Sequence, residues 1–124
     1  MSEKIKNDII NEDELTAAQA EVNESTDVYV HKFKKPFEFE DKVFDELTFK
    51  WSVLTGADSL AIENELQSLG KVIVTPEFSC EYLIRLAARA CNEKIGSDLI
   101  SALPLRDFNK IRSKARSFLM SAEV

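Results

Sequence analysis

The residues of this chain that could do chemistry are few and lie far apart. His31 is the single histidine, and it sits among lysines in Val30-His31-Lys32-Phe33-Lys34. A nucleophilic triad needs a base, a nucleophile and an orienting group, and neither a second histidine nor a nucleophile elbow accompanies it. No His, Cys and carboxylate residues recur at metal-ligand spacing. Gly56, Gly70 and Gly96 stand alone and form no phosphate loop. Asp58 and Asp107 each fall at the start of a helical pattern, where capping accounts for them, and Glu38 and Glu40 alternate on one strand face. Cys80 and Cys91 lie eleven residues apart on one helical pattern, about 16 Å by helical rise, beyond disulfide reach. Both read as small buried hydrophobes. The expectation is a protein that is not an enzyme, with no catalytic residue, metal site or cofactor.

What remains is a set of partner-contact candidates. Arg106, Lys110 and Lys114 recur at four-residue steps on the last helix, with Arg112 and Arg116 beside them. Five cations on one helix could meet phosphates, an acidic protein partner or an acidic segment of the same chain. Phe44 is the fourth candidate, as an aromatic pointing away from the other apolar residues of its strand.

These residues need elements to hold them. Val28 to Trp51 alternates apolar and polar residues and reads as a β-hairpin (28–51), with a bulge or edge at Lys34-Lys35-Pro36 because proline cannot donate to a ladder. A turn near Asp41-Lys42 with a three-residue loop, or a bulge, would place Phe37 opposite Leu47. Phe37, Phe39, Leu47, Phe49 and Trp51 would then share one face. Thr55-Gly56-Ala57-Asp58 resembles a capping box opening a helix over 56–69, with Leu60, Ala61, Leu66 and Leu69 inward. Gly70 ends it, and Val72-Ile73-Val74 fits either a short strand or an apolar anchor.

The central helix is read over 76–92, with Thr75 as N-cap and Pro76 at its first position. Its apolar residues cover so much of the circumference that it should be a scaffold rather than a site. Helices over 97–103 and 104–121 follow. The last one buries Leu105, Phe108, Ile111, Ala115, Phe118 and Leu119. The fold class expected is α+β: a small antiparallel hairpin packed on three to four helices.

Charge divides the chain in two. Residues 1–28 carry eight acidic and two basic side chains, and the remainder carries fourteen of each, so the whole formal charge of −6 belongs to the N-terminal arm. Residues 1–27 read as a disordered acidic arm in which Asp13 to Val22 could form a partner-induced helix, with Leu15, Ala18 and Val22 on one face. Residues 28–124 read as one domain. No apolar run is long enough for a membrane span and no signal-peptide layout is present, which points to the cytoplasm. The neutral body and the repulsive arm argue against nucleic acid.

One resemblance adds to this reading. Lys35-Pro36-Phe37 with Phe39 before Leu47-Thr48-Phe49, then Thr55-Gly56-Ala57-Asp58, and later Leu103-Pro104-Leu105-Arg106-Asp107-Phe108 ending in Phe118-Leu119, resemble the short tail assembly chaperones of long-tailed phages and prophages. The match spans about residues 29–120, in order. Glu40-Asp41-Lys42 replaces the usual hairpin glycine, and the arm is longer than the family pattern. The resemblance implies a non-catalytic protein of the bacterial host cytoplasm, absent from the mature virion, that holds the tape measure protein soluble until tail tube protein polymerises around it. Contact with tail tube protein and self-association are further partners it allows. A nucleic-acid-binding or regulatory adaptor using the last helix, and a minor virion structural protein, are the alternatives.

Overall fold

The computed structural model describes residues 27–121. The reading of residues 1–26 as a disordered arm therefore lies outside the described residues. The architecture is α+β, with a two-stranded antiparallel hairpin packed on four helices. Strand β1 is Val28–Phe39 and β2 is Lys42–Lys50. A single 3₁₀ turn, Trp51–Val53, leads to α1 (Gly56–Ser68). A second 3₁₀ turn, Pro76–Phe78, precedes α2 (Cys80–Ala90), and α3 (Ser97–Ser101) and α4 (Leu105–Ser121) follow.

The hairpin register differs from the expected one. The loop is two residues, Glu40 and Asp41, both at positive φ (49° and 68°), the backbone that matches the twist of paired strands. Phe37 pairs with Phe44 rather than Leu47, while Leu47 pairs with His31 and Phe49 with Tyr29. The irregularity lies inside β1, between Lys32 and Phe37, where Pro36 cannot donate to the ladder. This break separates the tip from the base of the hairpin. Leu47, Phe49 and Trp51 are fully buried and Phe37 and Phe39 pack against the same core. Phe44 joins them: it is half-buried against the core instead of pointing away.

The core is an aromatic column set on α2. Phe49 stacks on Trp51 with centroids 5.6 Å apart, Trp51 on Phe118 at 5.7 Å, and Tyr29 on Phe49 at 6.1 Å. Four rings thus tie both strands, the 3₁₀ turn and α4 together, each offset pair adding about 0.5–1.5 kcal/mol to its burial. Tyr82, Leu83, Ile84, Leu86, Ala87, Ala88 and Ala90 of α2 are all buried, as expected of a central helix.

That helix starts four residues later than the pattern implies. Ser79, not Thr75, is the N-cap: its Oγ accepts from the Tyr82 N–H at 3.2 Å, whereas Thr75 makes no side-chain cap bond. Phe78 is consequently left in the 3₁₀ turn, 65% exposed. Cys91 is buried but Cys80 is exposed, which corrects the pairing of the two as core residues. Burial, and after it the Glu93 carboxylate that accepts from its Sγ at 3.2 Å, keep the Cys91 thiol protonated, up to about 12.

On α1 the Asp58 carboxylate does accept from the Thr55 N–H at 2.8 Å. The inward residues, however, are Ile62 and Leu66, while Leu60 and Leu69 face solvent. Gly70, at φ 75°, ends the helix by letting the Lys71 N–H reach back to the Leu66 carbonyl at 2.9 Å. Residues 72–74 form no strand. Ile73 packs on the core and Val72 and Val74 are exposed. On α4, Ile111 and Ala115 are buried and Phe108, Phe118 and Leu119 half-buried, but Leu105 is exposed. Strand β2 gains a further partner on its outer side, where the Asn92 N–H donates to the Thr48 carbonyl at 2.8 Å and Phe49 bridges Cys91.

Candidate functional site

Strand β1 and the start of α4 enclose an open groove of about 760 Å3. Alternation along β1 packs Tyr29, His31 and Phe33 inward and leaves Val30, Lys32 and Lys34 exposed along the groove's margin. The break at Pro36 then lets Lys34, Lys35 and Phe37 reach the same groove, and Pro104, Arg106 and Lys110 supply the opposite wall.

The floor is a part-buried polar relay centred on the buried His31. The Tyr29 hydroxyl lies 2.7 Å from His31 Nδ1, and His31 Nε2 lies 2.7 Å from Asp107 Oδ1. A carboxylate only accepts, so Nε2 carries a proton, and in the neutral imidazole Nδ1 then accepts from the Tyr29 O–H. His31 is 5% exposed and is thereby fully satisfied. Burial, and after it the Asp107 carboxylate, push Tyr29 up to about 12. Asp107 sits in the first turn of α4, where a carboxylate is favoured. Its side chain nevertheless serves His31, seventy-six residues away, rather than a cap. The relay fixes β1 to α4 and sets the spacing of the groove walls.

Above this floor the groove is aromatic and cationic. His31 and Phe33 meet edge to face at 5.0 Å, Phe33 stacks on Phe37 at 5.8 Å and Phe37 on Phe39 at 6.3 Å. Lys32, Lys34, Lys35, Arg106 and Lys110 line it, against the single carboxylate of Asp107, whose Oδ1 accepts from His31. Apolar surface with a polar, charged rim is the composition of a partner-binding groove.

The four partner-contact candidates are split by the structure. Arg106 and Lys110 line the groove. Lys114 lies next along the helix, its Nζ 5.3 Å above the Tyr29 ring. Phe44 lies elsewhere, in a smaller hollow of about 140 Å3 with Phe39, Ile95 and Leu99. The basic stripe also divides: Arg112 donates to Cys80 Sγ at 3.3 Å and Arg116 to the Glu77 carbonyl at 2.9 Å, with its guanidinium over Phe78. Arg116 clamps the turn before α2 and Arg112 the first residue of α2, and neither lines the groove. The β1 lysines and the Tyr29–His31–Asp107 relay escaped the sequence reading. Alternation of Tyr29, His31 and Phe33 was a usable signal for the strand face, but nothing local links it to Asp107.

Among the described residues no group of three or more His, Cys, Asp or Glu side chains could hold a metal ion, and no helix is long and apolar enough to cross a membrane. No family model, curated protein or solved structure matches this chain.

Proposed function

We propose that this protein is a non-catalytic phage tail assembly chaperone that binds the tape measure protein through the groove between β1 and α4 and keeps it soluble during tail morphogenesis. The observation that carries the reading is the groove itself: aromatic along its length, cationic at its rim and floored by the part-buried Tyr29–His31–Asp107 relay. Such a surface takes the apolar face of an amphipathic helix while its lysines and arginines pair with acidic residues beside that face. The ordered sequence features over residues 29–120 supply the client class. The protein works on this reading in the bacterial host cytoplasm, does not enter the virion and needs no cofactor.

Co-expression with a tape measure protein tests it. The client is expected in the soluble fraction and to co-purify with the chaperone, and Lys34→Glu with Arg106→Glu and Lys110→Glu should abolish the capture. A client that stays aggregated and unbound overturns the proposal. A second reading has an observation of its own, since aromatics interleaved with cations also suit single-stranded nucleic acid. That reading requires salt-dependent binding of an oligonucleotide at low ionic strength, lost in the same triple variant. A minor virion structural role requires instead that the protein be found in purified particles.

A further inference from the structure

We propose that the acidic segment Asp13–Val22 of this chain occupies the β1–α4 groove in the absence of a client, as an intramolecular ligand that the client must displace. The inference rests on the groove being a binding groove and is independent of the client's identity. Three observations carry it.

The first is charge. Residues 1–28 hold eight acidic and two basic side chains, and five cations line the groove. In water each such pair contributes little, but several together orient and retain a tethered segment. The second is pattern. On a helix Leu15, Ala18 and Val22 form one apolar stripe and Glu14 and Glu21, seven residues apart, run along one side of it. That is an apolar face with an acidic flank, the complement of an aromatic floor with a cationic rim.

The third is placement. The arm joins the fold at Val28, and Tyr29 and Val30 already line the groove. The groove follows β1 from Tyr29 to Phe37, about 26 Å at strand rise. Ten residues from Asp13 to Val22 make a helix of about 15 Å, and the five residues 23–27 reach about 17 Å when extended. The segment can therefore fold back along the strand it precedes. Tethering at that distance gives an effective concentration in the millimolar range, so weak contacts suffice for occupancy, and a client of ordinary affinity still displaces the segment.

Paramagnetic relaxation in the full-length chain tests this without any client. A nitroxide is placed on Ala20→Cys, opposite the Leu15, Ala18 and Val22 stripe at helical spacing, in a Cys80→Ser background, since Cys80 is the exposed thiol and serine keeps an acceptor for Arg112. Broadening of the amides of Lys32–Phe37 and Arg106–Lys110 is expected at about 50 mM salt. It should be lost at about 500 mM salt, where the Debye length falls to about 4 Å. Glu14→Lys with Glu21→Lys should also abolish it, and adding Lys34→Glu, Arg106→Glu and Lys110→Glu to that variant should restore it.

Broadening that is absent at low salt, or spread evenly over the domain, overturns the proposal. So does broadening that appears only between spin-labelled and isotope-labelled copies, which would make the ligand a neighbour's arm. Failure to capture a tape measure protein leaves this measurement standing. Client capture combined with no arm contact in the client-free protein refutes the inference alone.

Discussion

The two sides of the molecule handle charge in opposite ways. Where α1 meets α2, charges are matched one for one. The Arg85 guanidinium, 13% exposed, donates from Nε to Glu65 at 2.9 Å and from Nη1 to Glu81 at 2.6 Å; Lys71 reaches Glu81 at 2.8 Å and Arg89 reaches Asp58 at 2.8 Å. Where β1 meets α4, five cations surround one carboxylate that already serves a histidine. The first side is closed by its own side chains. Among the described residues, the second leaves its cations in excess over the carboxylates that line the groove with them. The lesson is that a neutral domain can still present a strongly cationic face, because neutrality is a sum and recognition is local.

The comparison can be broken or sharpened experimentally. The largest effect belongs to the core that both sides share: Leu83→Ala, at a fully buried position, should cost about 2–5 kcal/mol in denaturant unfolding and weaken both faces together. If one face melted separately, the picture of a single scaffold would fail.

Next comes the relay. Asp107→Ala leaves His31 Nε2–H buried without its acceptor and should cost about 1–3 kcal/mol, with amide-shift changes along β1 and little along α1. Arg85→Ala should cost about 1 kcal/mol, since Glu65 and Glu81 are nearly half-exposed, and should leave client capture intact. The groove variant Lys34→Glu with Arg106→Glu and Lys110→Glu should do the reverse: stability within about 0.5 kcal/mol and capture lost.

Titration separates the faces by sign. Hydrogen bonds from Lys71 and then Arg85 hold Glu81 below the usual carboxylate range, and the Thr55 N–H, followed by Arg89, does the same for Asp58. A carboxylate with a lowered folded pKa stabilises above its unfolded value, and that contribution is lost as pH falls. Acid should therefore lower the stability of the whole domain through the carboxylates of the α1–α2 face. Tyr29 is raised instead, from 10.0 to about 12, so its contribution is complete below pH 10.0 and lost as pH rises through about 12. The loss of global stability above pH 10.0, measured by denaturant unfolding, should therefore be smaller in Tyr29→Phe than in the parent chain. The smallest effect is at the hairpin tip, where Asp41→Gly should stabilise by about 0.5–1 kcal/mol because the residue sits at φ 68°.

The legible parts of the fold were those with a short-range cause. Pro36 forecast the irregularity in β1, Thr55 with Asp58 the start of α1, and Gly70 its end. Where two local causes competed, the pattern misled. Thr75-Pro76 and Ser79 both offer a helix start, and the chain uses Ser79 after a separate 3₁₀ turn that Arg116 holds by the Glu77 carbonyl. The inward face of α1 was misread for a related reason, since Leu60, Ile62, Leu66 and Leu69 all offer apolar contact and only packing on α2 selects Ile62 and Leu66. Of the site, Arg106, Lys110 and Lys114 were visible as a helical stripe. Its other wall was not, because Lys32, Lys34 and Lys35 join them only through tertiary packing.

By itself, then, the sequence determined the α+β class, the central position of the helix around Leu83 and Leu86, and the separation of an acidic arm from a neutral body. Each follows from hydrophobic period, capping chemistry or composition, which act over a few residues. The tertiary structure alone decided that His31 lies between Tyr29 and Asp107, that Phe44 turns into the hairpin's packed side, and that the basic stripe is divided between a groove and a clamp. Those outcomes depend on the hairpin register and on where α4 meets β1 and the turn before α2, contacts between residues as much as seventy-six positions apart that no local rule encodes.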